Sequence, residues 1–126
     1  MNAVVVGRSL SALAILFLAF DTAIKLAQMP VVADTLGSLG YPADLGFTIG
    51  IVELVCLVLY AVPRTAVLGA ILLTALFGGG IATHIRVGSP LFTHILFGVY
   101  LGLFVWGGLY LRSERLRELL PSLRSA

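Results

Sequence analysis

Four long runs of apolar residues take up most of this chain: about Ser9 to Met29, Leu45 to Val62, Thr65 to Ile85 and Leu91 to Leu111. Each is close to the roughly 20 residues that cross a bilayer as a helix. Backbone N–H and C=O groups surrounded by lipid have no water to bond, so a run of this length pairs its own backbone as an α-helix. The breaks between runs fall on residues that stop helices: Pro30, the Pro63-Arg64 pair, and Gly88-Ser89-Pro90. Hydrophobic residues make up 60% of the chain and charged residues 11%, against about 25% charged in a soluble domain. Too few charges remain to coat a water-facing surface, so the outer face must meet lipid. The sequence therefore predicts an all-α, four-transmembrane-helix bundle forming a single domain over residues 1–126, multi-pass in the cell membrane.

Orientation follows from the basic residues. In an up-down-up-down arrangement the N-terminus, the turn between the second and third spans, and the segment after the fourth share one side. That side carries Arg8, Arg64, Arg112, Arg115, Arg117 and Arg124, six of the eight basic residues, and Lys25 and Arg86 lie toward the other. The positive-inside rule then puts both termini in the cytoplasm. The basic balance reads as membrane orientation, with no basic stripe for a nucleic-acid partner. Arg8 with the apolar Leu10 to Phe20 resembles a secretory signal, but no small-x-small cleavage site precedes Asp21, so the segment is read as the first span. In the loop from Pro30 to Asp44, Val32, Leu36 and Leu39 recur at helical spacing and predict a short amphipathic helix on the membrane surface. The tail, residues 112–126, is of mixed charge, with Leu116, Leu119, Leu120 and Leu123 on one face. Cys56, the single cysteine, offers no disulfide or CxxC chemistry and reads as a small core residue.

Ionisable groups inside spans are costly and mark functional sites. Here Asp21, Lys25, Glu53, His84, Arg86 and His94 come from all four spans and lie toward the same membrane side. Glu53, eight residues into the second span, would sit about 12 Å deep, at the base of an outward-opening polar funnel. Asp21 and Lys25, four residues apart, share a helix face and can neutralise each other. Arg86 is placed to snorkel to the interface. Two histidines and two carboxylates are a conceivable metal set, yet they lack local ligand spacing, and no metal is assigned. Gly46, Gly50, Gly98 and Gly102 suit close helix approach or room for a ligand, and Gly78-Gly79-Gly80 would loosen the third span. Trp106, Tyr110 and Tyr60 read as interfacial belt residues, and Tyr100 as a core residue whose hydroxyl is within reach of the funnel.

The order of short motifs resembles the DoxX-like family of small four-helix membrane proteins. From Lys25 to Pro121 these are Leu39-Gly40-Tyr41-Pro42, Glu53-Leu54, Val62-Pro63-Arg64-Thr65, Gly69-Ala70, Gly80-Ile81-Ala82-Thr83-His84, His94 and Trp106-Gly107-Gly108-Leu109-Tyr110-Leu111-Arg112. The resemblance implies a four-helix membrane bundle. It implies little chemistry, since the wider family is associated variously with quinone-linked sulfur oxidation, redox-stress complexes and assembly roles. The residues themselves lead to a pocket for a lipophilic small molecule, quinone- or isoprenoid-like, with Glu53, His84 and His94 as acid–base groups and Asp21, Lys25, Arg86 and Tyr100 around the ligand. No haem, flavin or nucleotide motif is present. The alternative is a non-catalytic subunit or assembly factor, acting as a homo-oligomer or in a larger membrane complex.

Overall fold

The computed structural model describes residues 2–119, and their regular structure is helical throughout. Helix α1 (Ala3–Leu26) starts earlier than the predicted Ser9, because the Asn2 side chain caps it by accepting from the Val4 N–H at 2.9 Å. Arg8 lies exposed within its first turns, where a charged side chain reaches water without interrupting the helix. The helix closes with Gln28 in the left-handed region at φ 56° and the Met29 N–H on the Ile24 carbonyl at 3.1 Å. Pro30, pre-set for the first position of a helix, opens the predicted short helix α2 (Pro30–Ser38). Its buried Val32 and Leu36 dock on Gly46, where a Cβ would fall 2.6 Å from Val32 Cγ1.

Helix α3 (Leu45–Ala61) stops at Val62, which the following proline holds extended at ψ 123°. A 3-10 turn, Pro63–Thr65, leads into α4 (Ala66–Val87). Gly78-Gly79-Gly80 does not open this helix. The backbone stays helical through all three, as the intrahelical bonds of a membrane-facing segment require. Gly88, at φ 72°, ends α4. The predicted fourth span is divided: a π-helical turn, Leu91–Ile95, precedes α5 (Phe97–Arg112), and the short α6 (Glu114–Leu119) follows. In α6 Leu116 is buried while Leu119 is exposed, so the two do not share a covered face. The expected partners Leu120 and Leu123 lie outside the described residues.

Among the described residues, three segments are long and apolar enough to cross a membrane: Ala3–Leu26, Pro63–Val87 and Leu91–Arg112. Helix α3 is also strongly apolar but, with 17 residues, shorter. Around them, α1 packs against α3 and α5, and α4 packs against α3 and α5. The core runs along this contact through Ala14, Leu18, Cys56, Leu57, Leu73, Phe77, Val105 and Leu109. Outside it, Leu16, Phe20, Leu103 and Phe92 are each more than 60% exposed. An apolar surface of this extent has lipid as its solvent.

At one end of the molecule the helices nearly touch. A Cβ on Gly7 would fall 2.7 Å from the Arg112 backbone nitrogen, and one on Gly69 would collide with the Tyr60 backbone. Tyr60 is fully buried there, donating to the Val105 carbonyl at 2.7 Å and accepting from the Ser11 hydroxyl at 2.8 Å. It is a core tie between α1, α3 and α5 and not an interfacial belt residue. At the opposite end a cavity opens between the helices, and the polar residues lie there.

Candidate functional site

Asp21 and Lys25 face the same way because they are one helical turn apart on α1. Gly50 on α3 brings the two helices together at this level, since a Cβ there would stand 3.0 Å from Lys25 Cβ. Glu53 projects from α3 one turn further on. The Lys25 ammonium lies between the carboxylates, 2.5 Å from Asp21 Oδ2 and 3.0 Å from Glu53 Oε2. Glu53 is 2% exposed, whereas the Asp21 side chain keeps 31% of its surface and Lys25 22%. Burial of Glu53 costs several kcal/mol unless the charge is compensated, and Lys25 supplies the compensation.

A cavity of about 700 Å³ opens beside this triad. Asp21, Lys25, Glu53, His84 and His94 all line it, together with an apolar wall that includes Phe17, Leu36, Phe77 and Phe97. Gly79 and Gly80 also contribute, and a Cβ on either would meet nothing within 4 Å. Of the four glycines singled out for helix approach, Gly46, Gly50 and Gly98 are in close contact with neighbouring side chains, and Gly102 is not.

The histidines meet toward the mouth. His84 near the end of α4 and His94 in the π-helical turn stand edge to face, with ring centres 5.5 Å apart. His84 Nδ1 is hydrogen-bonded to Ser89 Oγ at 2.9 Å, and His94 Nδ1 to Thr93 Oγ1 at 2.7 Å. His94 lies within this π turn, a one-residue register shift of a kind that recurs at functional sites. No cluster of three or more His, Cys, Asp or Glu side chains suited to a metal occurs among the described residues.

Two expected site residues are elsewhere. Arg86 donates to the Leu39 carbonyl and lies 5.8 Å over the Tyr41 ring, so it holds the segment after α2. Tyr41 in turn is hydrogen-bonded to Thr83 Oγ1 at 2.9 Å. Tyr100 is 41% exposed on the outside of α5, not in the core, and donates to the Phe92 carbonyl at 3.0 Å. Sequence reasoning missed the share of α2 in the site. Val31, Val32, Thr35 and Leu36 all line the cavity, and the helical spacing of Val32 and Leu36 was the available sign.

Apolar helices with unmasked hydrophobic flanks, gathered around a charged triad in a cavity, define a multi-pass membrane protein. The profile of the DoxX-like family matches residues 9–108, and the chain belongs to that family. No curated protein and no solved structure gives a significant match to it.

Proposed function

We propose that this chain is a single-domain, four-spanning membrane protein that holds a lipophilic small molecule, quinone- or isoprenoid-like, in the cavity beside Glu53. In this reading α1, α3, α4 and α5 cross up, down, up and down, with both termini cytoplasmic and the cavity opening to the opposite side. The 17 residues of α3 reach about 26 Å at 1.5 Å per residue, and the adjoining 3-10 turn extends that toward a full crossing. The arginines Arg8, Arg64, Arg112, Arg115 and Arg117 supply the orientation.

One observation carries the reading: Asp21, Lys25, Glu53, His84 and His94, from α1, α3, α4 and the π turn, share the wall of one mainly apolar cavity. An apolar pocket with a few convergent polar groups is the form that small-molecule sites take. The apolar tail of the ligand lies along Phe17, Phe77 and Phe97, and its head meets Glu53. Glu53 is then the proton donor or acceptor, His84 and His94 are its acid–base partners toward the mouth, and Asp21 with Lys25 sets the local field. Such a set serves isomerisation or the proton side of quinone-linked redox chemistry.

Native mass spectrometry of the detergent-purified protein tests this directly. A co-purified lipophilic molecule is expected on the wild type and lost from a Glu53→Gln protein that still folds, whatever melting temperature the weakened Lys25 contact costs it. Full retention by a stably folded Glu53→Gln would sink the reading.

The second reading, a non-catalytic subunit or assembly factor, is favoured by one feature. Lys25 satisfies a carboxylate on each side of it, as a tie holding α1 to α3 would. Under that reading Glu53→Gln lowers the melting temperature or releases a partner, and no small molecule is found.

A further inference from the structure

On the reading of the cavity as a ligand site, we infer that its occupant carries an uncharged hydroxyl head, an alcohol or a phenol, and that carboxylate, phosphate and ammonium amphiphiles are rejected. The argument is a donor–acceptor account of the triad. Lys25 has three ammonium hydrogens and no acceptor. One goes to Asp21 Oδ2 and one to Glu53 Oε2, which leaves the third for another partner. The outer oxygens, Asp21 Oδ1 and Glu53 Oε1, take no hydrogen bond from Lys25 and are acceptors in the ionised state. With both carboxylates ionised, a head group that completes this triad must accept one hydrogen bond and donate another. A hydroxyl does both. An ionised carboxylate has no hydrogen to give to Glu53 or Asp21, and an ammonium has no lone pair for Lys25.

Charge also excludes anions, while the rejection of an ammonium rests on its having no lone pair for Lys25. With both carboxylates ionised the triad carries one net negative charge, and with one of them protonated it is neutral. In neither state does it attract an anion. The other cationic side chain at this end of the molecule, Arg86, is spent on the Leu39 carbonyl and is absent from the cavity wall. His84 and His94 already bond a hydroxyl through Nδ1, at the mouth and not at the triad. A buried donor or acceptor left unmet costs its full desolvation penalty, so the mismatch discriminates more strongly than the match attracts.

Three probes that share one diazirine-bearing alkyl chain and end in hydroxyl, carboxylate or ammonium test the inference. The protein is held in zwitterionic-lipid nanodiscs, at a pH where the carboxylate probe is ionised. Photolabelling is then mapped by peptide mass spectrometry. The hydroxyl probe is expected to label cavity-wall peptides about tenfold more than either charged probe. Equal or stronger labelling by the carboxylate or ammonium probe overturns the inference and leaves the ligand-site reading standing. No cavity labelling by any probe removes both. The double variant Asp21→Asn with Glu53→Gln turns the triad into a net cation, and its preference is expected to shift toward the carboxylate probe. An unchanged order in a folded double variant also counts against the inference. If that variant does not fold, the wild-type comparison decides.

Discussion

Lys25 stands between two carboxylates of very different burial, and that difference orders the effects of substitution. Removing one partner of a buried ion pair costs about 3–5 kcal/mol, whereas an exposed pair contributes about 1 kcal/mol or less. Lys25→Met strands Glu53, which is 2% exposed, and is expected to lower stability by about 3 kcal/mol. Asp21→Asn removes the partner with 31% of its side-chain surface exposed and leaves the Lys25–Glu53 contact intact. Its cost is expected to stay below about 1 kcal/mol. Thermal melts of both variants in the same detergent check the ranking. An Asp21→Asn loss equal to that of Lys25→Met would show that burial does not set the worth of this cluster.

Among the elements, glycine separates contact from free space. Gly69 carries the α3–α4 approach, where an added Cβ meets the Tyr60 backbone and no flexible side chain can move aside. Gly69→Ala is therefore expected to cost at least about 2 kcal/mol. Gly78 lies on an open face of α4, where a Cβ meets nothing within 4 Å. Gly78→Ala is expected to be neutral or to stabilise by up to about 1 kcal/mol, through helix propensity alone. Melting temperatures of the pair distinguish the two cases, and equal destabilisation would refute the assignment of the α3–α4 contact. The apolar runs and the gathering of ionisable residues were legible in the sequence, because lipid imposes both a length and a cost on every charge. Which way a side chain turns was far less so. A helix apolar all round does not mark its inner face, so Tyr60 looked interfacial and Tyr100 looked internal. The π turn at Leu91–Ile95 left no trace, since its one-residue register shift changes neither composition nor length. Arg86 resembled a site residue because its partner, the Leu39 carbonyl, is backbone that any residue supplies.

Across the whole molecule the two ends differ in charge as well as in packing. The end where Gly7, Tyr60 and Arg112 meet carries the exposed Arg8, Arg64 and Arg115, while the cavity end carries Asp21, Asp34, Asp44 and Glu53. Its cations Lys25 and Arg86 are both engaged within the protein. On the proposed orientation, with the arginine-rich short segments in the cytoplasm, the cavity mouth and α2 lie on the outer side. Cys56 is the single cysteine and is buried, so after Cys56→Ala a new cysteine reports its own side of the membrane. Asp34 on α2 and Glu114 on α6 are both exposed and belong to opposite ends. A membrane-impermeant maleimide is expected to label Asp34→Cys in intact cells and Glu114→Cys only after permeabilisation. The reverse pattern would invert the orientation and put the cavity on the cytoplasmic side. Labelling of both in intact cells would show that an even number of segments crosses between them, with α3 as the segment that does not span. The same pair of labels thus tests the direction of the cavity and the crossing by the shortest apolar helix, because the side on which Glu114 appears depends on every span that precedes it.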